Sequence, residues 1–403
     1  VELELRQSLR ADHFEQLACL LRGQLFEQVP LWLWSPLVSQ AQCQRIARVA
    51  RELGERLLEL GLRERRLGRE ESWLPSREGL LESVRSDPWD TDPTFHWRFD
   101  FLWDRRTDRL QFLELNAGDP SGLGWVERFA LAMRSHSLWE NHLSAGRLRP
   151  FELAAGHRRA LEAVLGPGPH PIVFAAAEQS TVGSDIACWA ESFREAGYTV
   201  AVADPRAFEF DGQGVSVQGQ RPRAVLRDTY EELYLPPYQG VGERLQARVL
   251  EGRLWLGNPL CASFWDSKTL WTALPECETV ATTCRLRAIP ESERHDWVLK
   301  PAFDYGGRGV LCGFACSGEE WRVRLESAWS QPEEWVLQRA CLPPVEEFPF
   351  LGADGQLRWE PRYLTWSVFL NRLKFSGLLA RAGQQPVVNV HNGGAIFPVY
   401  QMA

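Results

Sequence analysis

The sequence has three lysines in 403 residues, no Cys-x-x-Cys pair, no GxGxxG and no GxxxxGK[ST]. It also has no apolar run long enough to span a membrane and no excess of positive charge. Each lack removes a class of function. Nine cysteines, an odd number scattered from Cys19 to Cys341, give neither metal-ligand spacing nor a disulfide framework and read as reduced, mostly buried thiols. Without the dinucleotide fingerprint a Rossmann oxidoreductase has little support. A net charge of -8 leaves no cationic footprint for nucleic acid. The charged opening VELELRQSLRADHF is unlike a signal peptide, so the chain reads as cytoplasmic and without a membrane partner. The eight histidines show neither triad nor metal spacing, and the oligomeric state is not legible.

What is present is an ordinary globular balance, 44% hydrophobic and 24% charged, over a length sufficient for two or three domains. The 42 arginines against three lysines (Lys268, Lys300, Lys374) form the one strong bias. A chain that uses arginine for nearly every cation would keep lysine where a compact ammonium matters, although chance also gives such a pattern.

Residues 1–90 read as a helical region, with Ile46, Val49, Ala50, Leu53, Leu57, Leu58 and Leu60 forming an apolar stripe on an Arg/Glu background. After the Pro-Gly punctuation at 166–171, PIVFAAA, Ser184 to Gly197 and YTVAVADP read as strand, helix and strand, a Rossmann-like opening over 166–260. From 261 the chain reads as alternating strands and helices.

Two segments carry chemistry. In HWRFDFLWDRRTDRLQFLELNAGDPSG, strands at 97–103 and 110–116 pairing about residue 107 set Asp100 opposite Glu114 and Arg98 opposite Asn116. Two carboxylates across an antiparallel pair repel, and a divalent cation between them reverses that. Their oxygens and that of Asn116 suit magnesium, with Arg98 placed for an anionic oxygen. The helix that starts near Leu123 offers N–H groups to an anion. The same segment also reads as a solvent-facing hairpin ending in turn residues. In WVLKPAFDYGGRGVLCGF, a strand ending in Lys300 enters a loop with Gly306, Gly307 and Gly309, which can lie close over polyphosphate, and Arg308 can close from it. A plain glycine-turn hairpin is the other reading. Lys268 falls on an expected helix, and EEWVLQRACL reads as a strand whose backbone can bond adenine while Leu337 packs on the ring, or as a core strand.

Taken together, RFD, ELNAGDPSG, SK, LKPAFDYGGRG, EEWVLQ and GLLARAGQQPVVNVHNGG resemble the ATP-grasp ligases, in the circularly permuted branch that includes glutathionylspermidine synthase. The order, metal segment first and lysine and glycine-loop segments last, is that of the permutation. The resemblance covers about residues 95–403. It implies an α+β / α/β ATP-grasp fold in permuted order: a metal-binding segment at 91–165, a Rossmann-like pre-ATP-grasp domain inserted at 166–260, and nucleotide-binding lobes at 261–403.

It further implies magnesium on Asp100, Glu114 and Asn116, Arg98 as a catalytic residue steadying the transferring phosphate, and Arg308 as a catalytic residue in the mobile glycine cover. ATP would lie on Lys268, Lys300, Gly306, Gly307 and Gly309, and its adenine against a hinge of Gln338 with Glu334 and Leu337. Arg381, Asn389 and Asn392 would serve as phosphate or acceptor-side contacts. The implied activity is ADP-forming ligation of a small-molecule or peptide carboxylate to an amine through an acyl phosphate. The substrate positions of glutathionylspermidine synthase find no match, so its substrates do not transfer. Nucleotide binding without ligation, and phosphoryl transfer to another acceptor, remain the alternatives.

Overall fold

The computed structural model describes residues 1–21, 33–74, 78–87, 92–178, 180, 183–228, 231–238, 240–351, 354–390 and 393–403. The chain begins with helices α1 (Glu2–Ser8) and α2 (Asp12–Leu20), a short strand β1 (Leu37–Val38), then α3 (Gln40–Arg66) and α4 (Glu78–Arg85). A capping box starts α3: Ser39 Oγ accepts from Gln42 N at 3.2 Å, and Gln42 Oε1 accepts from Ser39 N at 2.8 Å. Its apolar stripe is buried at Ile46, Ala50, Leu53, Leu57 and Leu60, and Gly54 comes up against Phe99 and Leu370 of the central sheet.

The acidic hairpin is β2 (Trp97–Asp104) and β3 (Arg109–Asn116). Its register pairs Asp100 with Glu114 and Arg98 with Asn116, as the sequence predicts. A bulge follows Asp100, so Phe101 pairs with Phe112 and the connection falls at 105–108. The extra residue, Leu113, turns to the same cavity as Glu114. Along β2 the side chains alternate: Trp97, Phe99, Phe101 and Trp103 join the main core, while Arg98, Asp100 and Leu102 face the cavity.

Next come α5 (Leu123–Arg134), α6 (Glu140–Ser144), β4 (Leu148–Pro150) and α7 (Leu153–Leu165). A parallel sheet follows, built from β5 (Ile172–Ala175), β6 (Val200–Ala203), β9 (Ala224–Arg227) and β10 (Trp255–Gly257) in the order β10-β9-β5-β6. Between these strands run α8 (Gly183–Glu195), the small hairpin β7 (Glu209–Asp211) and β8 (Gly214–Ser216), and α9 (Val241–Leu250). Ala, Val, Ile and Leu fill the strands because both faces of a parallel sheet are covered.

The expected alternation after 261 is corrected. Lys268 opens 3₁₀ turns rather than an α-helix, and α10 (Gly318–Ala328) is the one α-helix among the described residues there. Apart from short 3₁₀ turns at Glu291–Asp296 and Pro332–Glu334, the other elements are strands: β11 (Thr283–Arg285), β12 (Trp297–Pro301), β13 (Leu311–Cys312), β14 (Trp335–Arg339), β15 (Val345–Leu351), β16 (Leu357–Asn371), β17 (Lys374–Gly383), β18 (Ala395–Pro398) and β19 (Tyr400–Met402). Strands β11 to β14 form a small antiparallel sheet in the order β11-β14-β12-β13. Strands β16 to β18 extend the acidic hairpin into the order β18-β17-β16-β2-β3, with β15 also on β16. The aromatic and β-branched run YLTWSVFL explains why this stretch is sheet and not helix. No helix among the described residues is long and apolar enough to cross a membrane.

Candidate active site

A cavity of about 590 Å³ separates the small sheet from the hairpin sheet and reaches the ends of β5 and β9. Arg98, Asp100, Glu114, Asn116, Lys268, Lys300, Gly306, Gly307, Arg308, Arg381 and Asn389 all line it. Gly309, Glu334, Leu337 and Gln338 are not among its lining residues, and Asn392 lies outside the described residues.

The charges are paired differently from the expectation of two repelling carboxylates. Asp100 sits among donors: Arg98 Nε at 3.0 Å and Nη2 at 3.1 Å, Ser367 Oγ at 2.6 Å, Arg381 Nη2 at 2.8 Å and Asn116 Nδ2 at 3.3 Å. Burial pushes its carboxyl up, but Arg381, Arg98 and the Ser367 hydroxyl together outweigh burial and leave it below the usual range. Glu114 Oε2 faces Lys268 Nζ at 3.6 Å and Lys300 Nζ at 3.9 Å. Burial lowers the Lys300 pKa and Lys268 adds to that, against the pull of Glu114. The six side chains joined in these pairs comprise four cations and two anions. These six alone carry an excess of two positive charges, which suits a polyanion beside them, whereas the cavity lining as a whole sets six cations against seven carboxylates.

Magnesium fits the donor set in kind: two carboxylates and the Asn116 carboxamide are hard oxygen ligands. The fit is incomplete in arrangement, because Asp100 meets five donors with only about four lone-pair positions. Glu114 and Asn116 would take the cation first, and Asp100 would join only as an arginine leaves it. No group of three or more His, Cys, Asp or Glu side chains among the described residues, here or elsewhere, offers a cation cage.

The glycine loop is tied to the lysines. Lys268 Nζ donates to the Asp304 carbonyl at 2.7 Å, and Asp304 Oδ1 accepts from Arg308 Nη2 at 2.8 Å. Gly307 and Gly309 both have φ of +69°. A Cβ on Gly307 would meet Val387 at 2.8 Å, and one on Gly309 would meet Pro301 at the same distance. These positions admit only glycine without a shift of neighbours.

The hinge expectation is corrected. Leu337 points to the helix-covered face of the small sheet, in a core with Leu299, Trp321 and Leu325, so it cannot pack on a ring in the cavity. Gln338 Nε2 donates to the Leu113 carbonyl and to Thr283 Oγ1, both at 2.9 Å, and so ties the two sheets together. The Glu334 carbonyl accepts from Ala302 N at 2.7 Å. Leu113, Val298, Val310, Cys312, Phe314 and Pro343 supply the apolar wall instead.

The expected anion at the start of α5 is the chain's own Asp185, whose oxygens accept from Gly122 N at 2.6 Å and Trp125 N at 2.8 Å. A second carboxylate, Asp266, accepts from Ala117 N and Gly118 N. Between them these side chains fix the segment that holds Ser121, whose carbonyl accepts from Arg98 Nη1 at 2.6 Å.

Burial pushes both Asp185 and Asp266 up to about 6, against the backbone N–H groups that lower them. A carboxyl raised on folding contributes stability that is full below its unfolded pKa, near 3.9, and lost as pH rises through 6. Thermal unfolding between pH 4 and 7 should show this loss, about 2–3 kcal/mol per group. Asp185→Asn or Asp266→Asn should each flatten the slope, and an unchanged slope would contradict the burial account.

No family model matches this sequence, and no curated protein matches it. Among solved structures, a glutathione synthetase-like effector from Globodera pallida, in its apo form, superposes with a TM-score of 0.61 at 11% identity, covering 96% of each chain. A provisional gamma-glutamylcysteine synthetase from Methylobacillus flagellatus KT gives a TM-score of 0.42 at 10% identity, over 89% of this chain and 86% of that one, too loose to argue from. At such identity the first likeness concerns the fold alone. This chain is a mixed α and β molecule folded like a glutathione synthetase-like protein.

Proposed function

We propose that the chain is a Mg-ATP-dependent ligase that joins a small-molecule or peptide carboxylate to an amine and releases ADP and phosphate. Its segments would then follow the order of a circularly permuted ATP-grasp protein, with the parallel sheet of β5, β6, β9 and β10 as the inserted domain. The observation that carries this reading is the cluster of Arg98, Lys268, Lys300 and Arg381 around two carboxylates, facing a glycine loop across the cavity.

In this reading Lys268 and Lys300 bind the polyphosphate, and residues 304–309 cover it. Arg98 and Arg381 hold the transferring phosphoryl group, while Glu114 and Asn116, then Asp100, hold the cation. Magnesium would neutralise charge that develops on the phosphate oxygens. The substrate carboxylate attacks the γ-phosphorus, and the bond to ADP breaks to give an acyl phosphate. The amine nitrogen then attacks the acyl carbon, phosphate leaves, and the nitrogen loses a proton. Chain residues supply orientation and charge rather than a covalent intermediate. The cavity thiols agree with this: burial pushes Cys312 up to about 11 and Cys341 upward as well, so neither is an ionised nucleophile near neutral pH.

The far end of the cavity, where β5 and β9 end, is lined by Glu178, Ser180, Arg206, Asp228 and Tyr238. Ligands of parallel sheets bind outside the carboxyl ends of the strands, and this end is the place for the acid and the amine. Thermal shift with Mg-ADP, followed by a screen of acid and amine pairs for ADP release, tests the proposal. A rise in Tm with Mg-ADP and release that needs both partners is the expected result. No response to any adenine nucleotide would end the ligase reading, and nucleotide binding without partner-dependent release would favour a binding protein.

A further inference from the structure

Asp100 is held by two arginines of unequal grip. Arg98 is the more firmly held, with every nitrogen bonded, Nε and Nη2 on the carboxylate and Nη1 on the Ser121 carbonyl, and N–H groups to spare for a ligand where it stands. Arg381, on β17, reaches Asp100 through Nη2 alone at 2.8 Å and shares that nitrogen with Ser367 Oγ at 3.1 Å. Its Nε is buried with no hydrogen-bond partner, although the residue is only 8% exposed. The guanidinium lines the cavity. The less satisfied of the two cations is thus the one free to turn towards a ligand.

A buried carboxylate cannot be left short of counter-charge, and a buried guanidinium with an idle N–H gains by finding an acceptor. From this asymmetry we infer that Arg381 is an exchangeable counter-ion. It neutralises Asp100 in the empty site and leaves for the anionic ligand when a divalent cation takes its place. Two consequences follow from charge alone. In the free protein Arg381 competes with the cation for Asp100. When polyphosphate draws Arg381 away, Asp100 becomes available, so cation and nucleotide strengthen one another's binding through this residue. This rests on the nucleotide site proposed above, and adds to it a cause for metal–nucleotide coupling within the chain.

Binding of Mn²⁺ to the full chain, followed by the electron paramagnetic resonance of the free ion, tests the exchange with and without ADP. Arg381→Gln should tighten Mn²⁺ binding to the nucleotide-free protein by about fivefold or more, because the competitor is gone. ADP should then strengthen Mn²⁺ binding less in the variant than in the wild type, by a similar factor. Ser367→Ala removes a hydroxyl that both donates to Asp100 and accepts from Arg381, so it should shift nucleotide-free Mn²⁺ binding in the same direction by a smaller factor. It serves if Arg381→Gln does not fold. Equal nucleotide-free Mn²⁺ affinity in wild type and the folded variants would overturn the exchange, whatever ADP does. Tightened Mn²⁺ binding in a protein that binds no ADP would keep the competition at Asp100 and overturn the nucleotide site instead.

Discussion

Lys300→Arg is expected to cut turnover about as far as Lys300→Ala, by about 10²–10³-fold, the usual loss for one preorganised donor to a developing charge. The side chain is 8% exposed, and its ammonium lies 3.9 Å from Glu114 Oε2 beside a second lysine. A guanidinium is longer, planar and presents its donors in a fork, so it overfills this slot and misses the phosphate position. Lys374 is exposed at the start of β17, and Lys374→Arg should leave turnover unchanged. Steady-state rates for the three variants decide the matter. Similar tolerance of arginine at 300 and 374 would mean that the rarity of lysine carries no functional information.

Glu114→Gln and Asp100→Asn should both abolish magnesium-dependent turnover, by about 10³-fold, yet differ in everything else. Glu114→Gln removes one negative charge from between two lysines, in a cluster of six side chains with an excess of two positive charges. Metal-free tripolyphosphate should therefore bind more tightly, by a few-fold, and the loss of thermal stability should be the smaller of the two because the Glu114 side chain is 29% exposed where that of Asp100 is 4%. Asp100→Asn leaves Arg98 and Arg381 buried beside a neutral amide. Breaking such a pair from one side costs about 3–5 kcal/mol, so this variant should unfold at a clearly lower temperature. Repulsion between the two carboxylates, read from the hairpin alone, would instead make Asp100→Asn neutral or slightly stabilising. Calorimetry of the two variants separates these, and an Asp100→Asn protein as stable as the wild type would contradict the arginine pairing.

That difference marks the limit of what the sequence carries. The hairpin register was legible because a period-two alternation and a turn-rich connection fix which residues oppose one another, and Arg98, Asp100, Glu114 and Asn116 fall together for that reason. Lys268, Lys300 and the glycine loop were legible through the scarcity of lysine and the three glycines between two strands, to which the structure adds the positive φ of Gly307 and Gly309. The contacts of Asp100 with Ser367 and Arg381 were not, since Ser367 lies 267 residues away and arrives only when β16 pairs with β2. Asp185 and Asp266 were hidden likewise: a carboxylate that caps another segment's backbone leaves no spacing signal. The hinge expectation failed at Leu337 because an isolated apolar strand does not reveal which face a later helix, here α10, will cover.

The central claim is acyl transfer through the γ-phosphoryl group, and oxygen bookkeeping tests it most directly. With the acid substrate labelled by ¹⁸O in its carboxylate, the attacking oxygen remains on phosphorus when the amine displaces phosphate. Mass spectrometry of the released phosphate should find one ¹⁸O for each amide formed, with ADP as the other product. Unlabelled phosphate, or AMP and pyrophosphate in place of ADP and phosphate, would contradict the mechanism proposed for this site.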